Sequence, residues 1–150
     1  MARKRSRHLL RMALVSEVFV HGCFDVFHTG HLRFLQWAGA MGRVVVGLRS
    51  DLSVKARHGR EPAIGHFDRA ELLMALDCVS DVYLFDEESP AHLIGTIHPT
   101  TLAYGPTQAP DDKTRLYVAT HQPRLVRSPT FEQCTADVIK RVISVYSRDT

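Results

Sequence analysis

At 150 residues the chain fits one domain long enough to bury a core, and 45% apolar with 23% charged residues is the balance of a soluble globular protein. No apolar run approaches the roughly 20 residues that cross a bilayer, and three scattered cysteines (Cys23, Cys78, Cys134) without a CxxC pair argue against a disulfide framework or structural zinc and for a reducing, cytoplasmic setting. The net charge of +3 rests on Arg3, Lys4, Arg5, Arg7 and Arg11; without those five, 14 basic residues face 16 acidic ones, so the body lacks the composition of a nucleic-acid binder.

In chain order, residues 1–17 read as a basic, partly disordered extension and 18–150 as a single domain. Glu17 interrupts the only short apolar stretch there, which argues against a secretion signal. Val18–Val20 predicts the first strand and His31–Ala40 the first helix. Arg43–Leu48 does not alternate and predicts a fully buried strand. Residues 55–66, rich in Gly, Pro, His and Arg, read as an exposed loop. Phe67–Leu76 has helical spacing, and Val82–Phe85 reads as a strand. Ser89 as N-cap with Pro90 at the first helical position opens a helix to Ile97. Thr101–Tyr104 is a strand and 105–112 a loop with two prolines. Asp112–Thr120 reads as a short helix, Arg124–Arg127 as a last strand and Thr135–Tyr146 as a closing amphipathic helix. Strands alternating with helices predict an α/β, Rossmann-like parallel sheet with helices on both faces. Ligands in such folds bind beyond the carboxyl ends of the strands, where Gly22–His31, the loop after Leu48, Gly105 and Thr135 would gather.

The chemistry concentrates in Gly22-Cys23-Phe24-Asp25-Val26-Phe27-His28-Thr29-Gly30-His31. A strand ends in a glycine turn and a helix opens on a His-x-Gly-His cluster, the layout of a phosphate site. Two histidines three apart reach one phosphate group, and Gly30 lets backbone and phosphate approach closely. Asp25 reads either as an acceptor for a backbone N–H or as a Mg²⁺ ligand. A His-x-x-His pair alone is weak and usually structural; the longer pattern is far more specific.

That pattern resembles the signature of the cytidylyltransferase-like nucleotidyltransferases, and the resemblance runs over nearly the whole chain after residue 17. It implies transfer of CMP or AMP from CTP or ATP, with Mg²⁺, to a small phosphorylated alcohol or sugar. His28, His31 and Lys55 would be catalytic. Gly22, Cys23, Phe24, Asp25, Gly30, Gly105, Arg127 and Thr135 would hold nucleotide, and Arg69 and Arg60 the acceptor. Ser50-Asp51-x-x-Val54-Lys55 is similar to the family's lysine-bearing segment, with Arg57 and Arg60 nearby, and Asp68-Arg69 to its Asp-Arg helix. The spacing through Asp86-Glu87-Glu88-Ser89-Pro90 most resembles the heptose-phosphate adenylyltransferases. The short length also suits glycerol-3-phosphate cytidylyltransferases, and relatives of both kinds imply a homodimer. Two positions depart from the pattern: Pro106 follows Gly105 where acidic or Gly-Asp residues are usual, and Cys134 stands where a serine is usual. These departures motivate the alternative of a non-catalytic nucleotide-binding module; the resemblance itself implies a further one, an FAD-forming adenylyltransferase. An RNA-binding role for the basic start is a third reading, from a different class.

Overall fold

The structure, a computed structural model, describes residues 16–132 and 134–147. The expectations placed on the basic residues 3–11 lie outside that range. Glu17, assigned to the extension from sequence, already opens the first strand. Five strands, β1 (Glu17–Gly22), β2 (Arg43–Arg49), β3 (Val79–Phe85), β4 (Thr101–Tyr104) and β5 (Arg124–Arg127), form one sheet in the order β3-β2-β1-β4-β5, every neighbouring pair parallel. The helices between and after them are α1 (Thr29–Gly39), α2 (Asp51–His58), α3 (His66–Met74), α4 (Ala91–Ile97), α5 (Asp112–His121) and α6 (Thr135–Tyr146). Among the described residues no helix is long and apolar enough to cross a membrane.

Successive side chains of a strand point to opposite faces, so an uninterrupted apolar run needs cover on both sides. Here it has it. Val18, Val20, Val44, Val46 and Leu48 pack with Leu35 and Ala38 of α1 and Leu73 of α3 on one face. Phe19 and Val45 pack with Leu102 and Ile94, against Leu93 and Ile97 of α4 and Tyr117 and Val118 of α5, on the other. Gly47 is required by that second layer, because a Cβ there would sit 2.6 Å from the Phe19 Cζ. The chain runs β1-β2-β3 towards one edge and then returns to β4 and β5 on the other side of β1. The strand order therefore reverses between β1 and β4, and a crevice opens at their carboxyl ends.

Three local readings need correction. Residues 55–58 are not loop but the last turn of α2. Its N-cap Ser50 accepts from the Ser53 N–H at 3.2 Å, and Gly59, at φ 70°, ends it in the left-handed conformation that favours glycine. Glycine and proline after residue 58 masked a helix that was already capped. The first helix begins at Thr29 rather than His31, with His28 as its N-cap. Pro90, not Ser89, is the N-cap of α4, although the Ser89 Oγ still accepts from the Ala91 N–H at 3.2 Å.

Candidate active site

A cavity of about 640 Å³ lies across the carboxyl ends of β1, β2, β4 and β5. The ends of four strands deliver His21 and Gly22, Arg49, Gly105 and Ser128 to its wall.

The two histidines of the signature lie side by side at the start of α1, their rings on one cavity wall. His28 is the N-cap and His31 the third helical residue, and they cap one another. The His28 Nδ1 accepts from the Gly30 N–H at 3.0 Å, and the His31 Nδ1 accepts from the His28 N–H at 3.3 Å. A nitrogen that accepts a hydrogen bond carries no proton, so each neutral ring holds its proton on Nε2. The capping bonds thus fix both tautomers and leave two Nε2–H donors at the cavity wall. The rings stack at 3.9 Å, and the His28 Nε2 lies 3.1 Å from the Thr135 hydroxyl at the start of α6. Burial pushes the His28 pKa down. It pushes that of His31 down to about 4, helped by His28 and opposed by Asp25.

The turn ahead of this pair is strained. Phe24 and Val26 have φ of 48° and 49°, a conformation costly for side chains with a Cβ and more so for a branched one. Asp25 and Arg69 brace it. The Asp25 carboxylate accepts from Val26 N–H at 3.1 Å, Ala63 N–H at 2.9 Å and Ile64 N–H at 3.0 Å, with the Arg60 guanidinium at 3.8 Å. Arg69 is 1% exposed. Its Nε donates to the Ile64 carbonyl at 2.8 Å. One terminal nitrogen donates to the Cys23 and Arg49 carbonyls at 2.6 and 2.9 Å, and the other to the Asp51 carboxylate at 2.7 Å. Arg69 therefore ties the signature turn, the end of β2, the 59–65 loop and α2 together, and it is absent from the cavity wall. Arg69 was expected to clamp an acceptor phosphate; in the structure four of its five N–H directions go to the protein, and its side chain is wholly buried and off the cavity wall.

Asp25, read from sequence as either an acceptor for a backbone N–H or a Mg²⁺ ligand, takes the first of these roles in the structure. Both of its oxygens are occupied by N–H donors, and among the described residues no group of three or more His, Cys, Asp or Glu side chains could hold a metal ion. The residues present do not build a protein-held Mg²⁺ site. Lys55 is likewise off the cavity wall, extended into solvent and paired with Glu61 at 2.8 Å, which raises its pKa. The residues that α2 does send to the wall are Val54, Arg57 and His58, and the His58 Nε2 lies 3.6 Å from the Cys23 Sγ. Arg127 ends β5 in an exposed position, and its neighbour Ser128 takes the place on the wall.

The other expected residues do gather there: Gly22, Cys23, Phe24, Gly30, Arg60, Gly105 and Thr135. The Gly105 N–H is held by the Gln108 side chain at 3.1 Å. Cys134 is the N-cap of α6 without a capping bond; its thiol donates to Asp137 at 3.0 Å instead. Sequence reasoning gave no role to His21, Arg49 or His58. For Arg49 the signal was available, since a charged residue directly after an uninterrupted apolar run stands at the carboxyl end of a buried strand.

A family model described as cytidylyltransferase-like matches residues 19–140. The bifunctional protein HldE of Geobacter metallireducens is 37% identical over 136 residues, 88% of this chain and 28% of that protein. The HldE of Geotalea uraniireducens is 48% identical over 96 residues, 63% of this chain and 20% of that protein. The chain thus spans between a fifth and three tenths of these relatives. A crystal structure described as the lipopolysaccharide core biosynthesis protein from Thermoplasma volcanium superposes with a TM-score of 0.68 at 23% identity, over 79% of this chain and 99% of that one, and so shares its fold. With its parallel sheet, its reversal of strand order beside β1 and a matching family model over most of its length, the chain belongs to the cytidylyltransferase-like family.

Proposed function

We propose that this domain transfers a nucleotidyl group from ATP or CTP to the phosphate of a small phosphorylated sugar or alcohol, with release of pyrophosphate. One observation carries the reading: capping bonds lock His28 and His31 into tautomers that present two Nε2–H donors at the cavity, one of them against Thr135. In the reaction an acceptor phosphate oxygen bonds to the α-phosphorus while the bond to pyrophosphate breaks, and pyrophosphate leaves with the electron pair. The acceptor is already an anion, so the site needs positioned donors rather than a base. The Nε2–H groups of His28 and His31, the Thr135 hydroxyl and the N-terminus of α1 are suited to the charge that builds on the phosphates. Mg²⁺ belongs in this reading to the metal–triphosphate substrate, since Asp25 is committed elsewhere. Arg57 and Arg60 supply positive charge for the acceptor's phosphate, and Arg49 adds its charge from the wall while its terminal nitrogens donate to the Ser53 hydroxyl and the Glu87 and Glu88 carbonyls.

The HldE relatives and the heptose-like spacing of residues 86–90 favour a sugar phosphate as acceptor and ATP as donor. A homodimer and a cytoplasmic setting accompany the reading on the family resemblance. Thermal shift with ATP, CTP, GTP and UTP in the presence of Mg²⁺ identifies the donor, because a ligand that binds only the native state raises its melting temperature. With that donor, His31→Ala lowers pyrophosphate release by about 10²–10³-fold, the loss associated with one preorganised donor. Near-normal turnover in this variant contradicts the mechanism.

A further inference from the structure

The cavity has two ends of different chemistry. At the α1–α6 end stand the N–H donors of His28 and His31 with the Thr135 hydroxyl. At the β2–α2 end stand Arg49 and Arg57. His21 belongs to the second end. It is next to last in β1, beside the reversal of strand order, and its ring lies in an aromatic frame. Phe19 stacks on it at 6.2 Å, and Phe85 and Tyr104 meet it edge to face at 6.4 and 5.7 Å.

Inside this frame the His21 Nδ1 and the Tyr104 hydroxyl are enclosed with no hydrogen-bond partner. A buried polar group without a partner is costly, and native folds keep few of them. The His21 Nε2 makes no bond to the protein either, but it is not enclosed, and the ring lines the cavity. That nitrogen is therefore the polar edge His21 offers to a ligand. Burial, with Arg49 and Arg57 adding to it and Asp111 opposing, pushes the His21 pKa down to about 4. A neutral imidazole is thus flanked by guanidinium groups, with the Arg49 guanidinium itself 4.8 Å above the Phe85 ring.

We propose that His21 is a specificity-determining residue for the acceptor: its Nε2 hydrogen-bonds a hydroxyl of an uncharged, polyhydroxylated acceptor body, while Arg49 and Arg57 disfavour acceptors that carry an amine. The assignment rests on the transferase reading and names the acceptor chemistry of that same cavity. A neutral ring nitrogen pairs with a hydroxyl at no cost in charge. An ammonium in the same place would meet the Arg49 and Arg57 guanidinium groups of the cavity wall, with the Asp111 carboxylate opposing them.

The test compares hexose and heptose phosphates with phosphoethanolamine and phosphocholine as acceptors, using the donor nucleotide that thermal shift identifies. The wild-type chain turns over the sugar phosphates and not the amino-alcohol phosphates. His21→Phe keeps the ring within the aromatic frame and removes both nitrogens. It lowers kcat/KM for the sugar phosphate about tenfold, the worth of one hydrogen bond, with the loss in acceptor KM. The nucleotide KM and the nucleotide thermal shift stay unchanged. His21→Asn, which retains a donor and an acceptor, recovers part of the loss. An unchanged acceptor KM in His21→Phe overturns the assignment, as does an equal loss of nucleotide affinity or wild-type turnover of phosphoethanolamine at the sugar-phosphate rate. Absence of pyrophosphate release from the wild type with every acceptor overturns the transferase reading itself, and this assignment with it.

Discussion

A histidine whose Nδ1 already accepts a backbone N–H has one place left for its proton, and that fact organises the residue scale of this site. His28 and His31 cap α1, and the same bonds leave each Nε2–H for the proposed transfer. Arg69 divides differently from expectation. An Asp-Arg pair at the start of a helix reads as a ligand clamp from sequence, because burial and bond partners are properties of the fold and not of the letters. In the structure it is a brace. Arg69→Lys cannot reproduce the fork across the Cys23, Ile64 and Arg49 carbonyls and Asp51. We expect it to cost about 3–5 kcal/mol, the scale for breaking a buried charged network, read as a fall in the urea midpoint. A wild-type midpoint with lost acceptor affinity would return Arg69 to the binding site. The histidines also set an acid limit. His21 and His31 titrate near 4 in the native chain against 6.5 when unfolded. Between these values the unfolded chain binds protons that the native one refuses, so stability is present above about pH 6.5 and falls as the pH drops towards 4. Melting temperatures measured across that window should decline with acidification. The decline should be shallower in His21→Phe, and parallel curves for the two proteins would count against the assignment.

At the scale of elements, the strands were legible because a parallel sheet covered on both faces leaves uninterrupted apolar runs, as in Val44-Val45-Val46. The last turn of α2 was not legible, since Gly59 and Pro62 announce a loop without saying where it starts. The omission mattered: α2 carries Arg57 and His58 to the cavity, while Lys55, chosen from sequence, points away to Glu61. Ser50 starts this helix directly after β2, so its cap also positions those two side chains. Ser50→Ala should cost about 1 kcal/mol of stability, as loss of an N-cap does, and raise the acceptor KM more than the nucleotide KM. An equal rise in both would detach α2 from the acceptor end. Helix α6 was anticipated in place and extent, but its apolar stripe lies open. Ile143 and Tyr146 are 59% and 67% exposed, and no residue of the helix is buried. Periodicity shows that a helix has an apolar side; it does not show what lies against it.

At the scale of the whole molecule, the reversal of strand order between β1 and β4 brings distant segments to one cavity; that they gather beyond the carboxyl ends of the strands followed from alternating strands and helices, while the strand order did not. Which end of that cavity takes which ligand did not follow, because it depends on where Arg49, Arg57 and His21 sit relative to His28, His31 and Thr135. The division into a donor-lined end and a guanidinium-lined end is what makes a two-substrate transfer the natural reading of the site. Phosphorus NMR of the reaction mixture tests it most directly, with the donor triphosphate, Mg²⁺ and a sugar phosphate incubated with the wild-type chain and with His31→Ala. Nucleotidyl transfer predicts a new diphosphate diester, in which a phosphoanhydride bond joins the α-phosphorus to the acceptor's phosphate, together with free pyrophosphate in equal amount, both nearly absent in the variant. Formation of nucleoside diphosphate and inorganic phosphate, or an equal yield from His31→Ala, would contradict it.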